Sequence, residues 1–374
     1  MLVIIKIMDR LERLINSVKF TQLWEGFTKK KFAVYKEKIF FINDNCNINL
    51  DLKKKNDCYI GIVDERFIGN TAIKIDDEYI AIWNYKTISK NINDAKLASL
   101  LIHEMFHCFQ YENNEKRFPN ELQGLDYPIT KENISLRMLE RKYLMDSVFE
   151  KDERKRKEYL SNYFSLRTKR EKLIGDFIKY EKAIESVEGT AVYVEFKAYD
   201  QLVKDSNNKI LKDLIKGFTD INQRNLKVRH STYNQGLLLG LIADKYISNW
   251  TSKFMISQLY LSDFVFNELN ILDIEVCDYN DIDYKQEEIE ECIIKWNKDR
   301  DFVFEEFEKN NKGNILEEGF EITAFDPMNV IKIENVIIHK KFLRIKSNGK
   351  EQVLKGPIKT IIGENIFDVK KIEW

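Results

Sequence analysis

Three observations predict an α+β fold. Short runs of alternating apolar residues lie between Phe32 and Trp83, a helical period holds from Asp94 to about Asn311, and short β-branched runs return from Gly319 onward. A small mixed sheet, a mostly helical body and a C-terminal antiparallel β module are expected in that order. The first element is an amphipathic helix, because Leu11, Leu14, Ile15 and Val18 recur at helical spacing. The apolar start that precedes them has neither a basic leader nor a small-residue cleavage site, so a secretion signal is not expected. A hairpin comes next, Phe32 to Tyr35 and Ile39 to Ile42 around Lys36-Glu37-Lys38, and then strands at Tyr59 to Val63, Thr71 to Ile75 and Tyr79 to Trp83.

Residues Asp94 to Glu112 predict a helix with almost no polar face, which places it inside the protein. Pro119, Gly124 and Pro128 mark residues 113–130 as a loop. Residues 131–182 read as a helical insertion dense in Lys, Arg and Glu, with Lys151 to Glu158 as a solvated face. Asp263 to Asp283 is acidic and irregular, and reads as a connector. The helix after it carries Ile289, Ile293, Trp296, Val303 and Phe307 on one side, a stripe expected to face the core. Turn pairs Asp326-Pro327, Asn348-Gly349, Gly356-Pro357 and Gly363-Glu364-Asn365 divide the C-terminal module into short strands. The resulting division is 1–262, with its insertion, 263–318 and 319–374.

Composition narrows the function. With 44% hydrophobic and 32% charged residues the chain is a globular protein, and its formal net charge of −1 supplies no field to attract a nucleic acid or an anionic membrane. Five scattered cysteines (Cys46, Cys58, Cys108, Cys277, Cys292) include no C-x-x-C pair, which argues against disulfides and a thiolate zinc site. A reducing, cytoplasmic location is expected. The longest apolar stretch after the first helix, Gly236 to Ala243, is far too short for a membrane span.

Chemistry concentrates in His103-Glu104-Met105-Phe106-His107. Two histidines four positions apart share one helix face, where both imidazoles can reach a single zinc ion. Glu104 then stands beside the metal as the base for a zinc-bound water. A catalytic zinc needs a third ligand, and no third histidine occurs at metzincin spacing, so an acidic one is expected. Glu181, Glu185, Glu188 and Glu195 form one helical stripe among apolar neighbours, and their mutual repulsion calls for a cation opposite: a metal, or Arg and Lys from the insertion.

Three segments in order resemble the gluzincin aminopeptidases. His103 to His107 matches their H-E-x-x-H, Glu188-Gly189-x-Ala191-x-Tyr193-x-Glu195 is similar to their E-G-x-A-x-Y-x-E, and Tyr233-Asn234-Gln235-Gly236 looks like their Y-x-K-G. The resemblance implies a zincin-like catalytic domain, Zn2+ held by His103, His107 and Glu188, Glu104 as general base and Tyr233 as the group that stabilises the oxyanion. Glu185 stands one turn away as the alternative ligand, and His230 as the alternative electrophile. Two departures are visible: His107 and Glu188 lie far apart in the chain, and the family's G-x-M-E-N edge strand is replaced by Gly69-Asn70-Thr71-Ala72. His339 is expected to be a strand residue and Cys108 a core thiol. The implied activity is peptide hydrolysis, with a peptide or protein as substrate. The other reading is an inactive zincin-like protein that binds a partner through its β module.

Overall fold

The computed structural model describes residues 2–44, 50–89, 91–204, 209–269, 284–311, 313–364 and 368–374. Cys46, Cys277, Asn365 and most of the predicted connector lie outside the described residues. Helix accounts for 54% of the chain and strand for 19%, in a mixed α+β arrangement. The first helix, α1 (Leu2–Ser17), buries Ile4, Ile5, Met8, Leu11 and Ile15 against the body, and a short α2 (Phe20–Leu23) succeeds it. Six strands come next: β1 (Phe32–Lys36), β2 (Ile39–Ile42), β3 (Lys53–Lys55), β4 (Cys58–Ile62), β5 (Thr71–Ile75) and β6 (Glu78–Asn84). They form one sheet in the order β3-β4-β2-β1-β6-β5, antiparallel except for the β1–β6 pair. The predicted hairpin is β1–β2, with Glu37 taking the left-handed turn conformation at φ 55°. The sequence reading missed β3, whose Lys53-Lys54-Lys55 is fully exposed and carries no apolar period; lysines on an edge strand discourage pairing with another chain.

The helical body begins with α3 (Asp94–Glu112), capped by the Asn93 side chain on Lys96 N, and buried from Leu101 through Gln110. It packs on β5, β6, α1 and α7. After the 113–130 loop come α4 (Lys131–Phe149), α5 (Glu153–Ile174), α6 (Phe177–Ile184), α7 (Thr190–Val203), α8 (Lys209–Leu214), α9 (Gln223–Leu226), α10 (Val228–Tyr246), α11 (Trp250–Ile256), α12 (Leu261–Leu269) and α13 (Gln286–Asn310). Residues Glu185–Gly189 join α6 to α7 through a π turn. Among the described residues no helix is long and apolar enough to cross a membrane. Helix α13 docks Ile289 on Ile134, Met138 and Leu226, so its predicted stripe does meet the core at that end.

The C-terminal strands are β7 (Ile315–Leu316), β8 (Phe320–Phe325), β9 (Val330–Ile333), β10 (Val336–His339), β11 (Phe342–Ser347), β12 (Lys350–Lys355), β13 (Ile358–Ile362) and β14 (Val369–Glu373). All pair antiparallel, in sheets ordered β7-β14-β13-β10-β9 and β12-β11-β8, around an apolar cluster of their own that includes Leu343, Ile345, Leu354, Ile358 and Ile372. Asn348 and Gly349 both have positive φ, 51° and 76°, the conformation a tight hairpin turn requires between β11 and β12. His339 is buried in β10, hydrogen-bonded to Thr360 at 3.0 Å, and lies apart from the other histidines as a strand residue.

Candidate metal centre

Helix α3 holds His103, Glu104 and His107 at 8% exposure each, and Glu188 on the π turn is 9% exposed. The Nε2 atoms of the two histidines stand 3.1 Å apart, and Glu188 Oε2 lies 3.7 Å from the first and 3.5 Å from the second. Zinc bonded at about 2.0 Å in tetrahedral geometry separates adjacent ligand atoms by about 3.3 Å. The triangle matches that spacing, and these three residues are the one group of His, Cys, Asp or Glu among the described residues whose ligand atoms converge in this way.

The surrounding hydrogen bonds determine where the ring protons sit. Gln110 donates through Nε2 to the Val187 carbonyl (2.9 Å) and the Thr190 hydroxyl (3.1 Å), which itself donates to Ser186 O. The Gln110 amide oxygen therefore faces His107 Nδ1, at 2.7 Å, and that nitrogen must carry a proton. On the other ring, His103 Nδ1 donates to Glu195 Oε2 at 3.2 Å. Both Nε2 atoms are left with lone pairs directed at one another, an arrangement that requires a cation between them. Burial alone would lower the His103 pKa, yet the Glu188 and Glu195 carboxylates overcome it and raise it to about 10. Burial would likewise raise Glu195; its bonds to His103 and to Lys96, 2.5 Å away, hold it down at about 2. A proton on His103 meets the demand for positive charge, and the same three residues could instead hold a metal ion.

Glu104 differs from every carboxylate around it. Burial raises its pKa, opposed by the nearby His103 and His107, and among the described residues it has no hydrogen-bond or ion-pair partner. Glu188 is held by its second oxygen: Arg229 Nη2 donates to Oε1 at 2.6 Å, while Arg229 Nη1 pairs with Glu121 in the 113–130 loop. Tyr233 sits one turn along α10 from Arg229, half-buried, with burial and then the Glu188 carboxylate raising the pKa of its hydroxyl. His230 is more exposed and packs on Tyr233, with ring centres 5.7 Å apart. Its pKa is lowered by burial and by the Arg229 and Lys227 charges.

The acidic stripe does not stay together. A π turn inserts one residue into the helix and rotates the downstream residues by about 100°. Glu181 and Glu185 consequently face the insertion, where both Glu185 oxygens bond Arg167 (2.5 and 3.1 Å), while Glu188 and Glu195 face the histidines. Arg167 from the insertion supplies the predicted countercharge on one half of the stripe, the other half faces the histidines, and Glu185 is not in the triangle. Gly189 and Gly236 explain themselves by contact: a Cβ on Gly236 would lie 2.5 Å from the Gly189 Cα and 2.4 Å from the Glu185 carbonyl oxygen. Only glycine lets α10 approach the ligand-bearing turn so closely. Cys108 is buried and free, its thiol pKa pushed well up by burial, consistent with a core thiol.

Arg229, Gln110 and Lys96 escaped the sequence reading. An arginine one turn before Tyr233 was the available signal for the first; nothing in the sequence distinguishes the other two. Because Glu195 orients His103, Glu195→Gln should weaken any divalent-metal binding by the triangle about 10–100-fold without loss of folding, measured by competition with a chromophoric chelator. Unchanged affinity would remove Glu195 from the site. The chain matches no protein-family model, no curated protein and no solved structure.

Proposed function

We propose that the protein is a zinc-dependent hydrolase of gluzincin type, with a zincin-like catalytic core that cleaves peptide bonds. The observation that carries this reading is the pair of facing imidazole lone pairs closed by Glu188, with an unpartnered carboxylate, Glu104, next to them. Two imidazoles and a carboxylate are a donor set that suits zinc. Bound there, Zn2+ would supply a Lewis acid for the scissile carbonyl and lower the pKa of water at its open position.

The chain's own residues then have distinct tasks. Glu104 takes the proton of the attacking water and delivers it to the leaving amine; its burial and lack of a partner keep it basic enough to do so. Tyr233 donates a hydrogen bond to the developing oxyanion, and Arg229 keeps Glu188 from turning away. A purely structural metal site has no use for a free carboxylate, which disfavours the inactive reading. The direct test is the metal content of the purified protein together with digestion of a peptide library. About one zinc per chain and cleavage abolished by a chelator are expected; metal-free protein with full activity would refute the proposal. Tyr233→Phe should retain zinc and stability while turnover falls about 100-fold to 1000-fold. Undiminished turnover in that variant, with an inactive but metal-loaded His230→Ala, would give the electrophile's role to His230.

A further inference from the structure

Behind the metal centre, α4, α5, α6 and α10 share a buried core of charge. Arg137, Arg141, Arg167 and Arg170 face Glu140, Glu181 and Glu185, all within a few per cent of full burial, so one positive charge is in excess. Three of the arginines are well supplied with acceptors. Arg170 bonds Glu140 (2.7 Å), Asn133 (3.1 Å), Tyr127 (2.8 Å) and Glu181; Arg167 bonds Glu140 and Glu185; Arg137 bonds Glu181 (3.1 Å) and the first turn of α10. Arg141 is the exception. Its Nη2 donates to Ser231 O at 2.6 Å, its guanidinium lies 5.0 Å from the Phe218 ring, and its Nε and Nη1 have no acceptor.

A guanidinium does not give up its proton in a protein, so the excess charge at Arg141 persists. Water can accept the unpaired N–H groups but cannot neutralise them. We propose that Arg141 is an internal binding site for a small monovalent inorganic anion, which in solution is chloride, seated against Nε and Nη1 beside Phe218. The anion completes the charge balance of the core and accepts the free N–H groups together. Burial and the nearby Arg137 pull the Arg141 pKa well down, as expected for a cation that lacks a counterion. The proposal depends on neither the metal nor the hydrolytic reading. It does bear on the site, since the Ser231 carbonyl that Arg141 grips lies in the turn of α10 between Arg229 and Tyr233.

The test compares melting temperatures of the full chain in sodium chloride and sodium gluconate at constant ionic strength. A saturable rise on the order of 2 °C with chloride is expected in the parent, and none in Arg141→Met, which shares any general salt effect. An equal response in both proteins would overturn the proposal. If Arg141→Met does not fold, crystals of the parent soaked in sodium bromide decide. An anomalous peak within contact distance of Arg141 Nε and Nη1 supports the site, and its absence refutes it.

Discussion

On the proposed hydrolytic reading, Glu104→Gln is expected to lower peptide hydrolysis by about 100-fold to 10,000-fold while metal content and melting temperature hold. The amide has the shape of the carboxylate but cannot accept the water's proton, so only the chemical step should suffer. Stability should not fall, because the substitution removes a buried carboxylate that no hydrogen bond or ion pair compensates among the described residues. Metal analysis and a melting curve beside the turnover measurement separate these effects. Equal turnover by parent and variant would show that Glu104 is not the base, whatever the metal content.

The second large effect is on stability. Glu181 receives Arg137 at 3.1 Å and also Arg170, with Tyr127 donating to it at 2.5 Å, and burial that would raise its pKa is outweighed by the three arginines of the cluster, which lower it. Glu181→Leu leaves Arg137 buried without a carboxylate and Arg170 with Glu140 alone, and the unfolding free energy should fall by about 3–5 kcal/mol. The partly exposed Lys142–Asp146 pair makes a useful contrast at 2.5 Å, since Asp146→Asn should change stability by less than about 1 kcal/mol. Urea denaturation of the three proteins gives the comparison. A loss in Glu181→Leu no larger than in Asp146→Asn would mean that the buried network contributes little to stability.

Much of the fold was legible because it arises from periodicity. The bounds of α3, the β1–β2 hairpin and the Asn348-Gly349 turn all rest on local signals: a cap, an alternation, a residue pair able to take positive φ. The features that escaped were set by long-range packing. Lys53-Lys54-Lys55 is a strand only because β4 lies beside it, and the parallel pairing of β1 with β6 joins segments far apart in the chain. The site divides in the same way. The spacing of His103 and His107 states their convergence outright, while the choice between Glu185 and Glu188 depends on a helix irregularity with no residue signature. Arg229 holds Glu188, and Gln110 orients His107, through contacts made only once α10 packs on the π turn and α7 packs on α3.

The π turn at Glu185–Gly189 also has a meaning in heredity. One extra residue in a helix is one codon, gained or lost without disturbing the reading frame. Without the turn, the same residues would run as an unbroken α-helix, and Glu188 would swing by about 100° from the histidines toward the arginines. The charged core that braces the insertion would keep Glu181, upstream of the change, while the metal triangle would open. The one extra residue thus lets a single run of helix present carboxylates to the arginines on one side and to the histidines on the other, with both flanking helices kept in place.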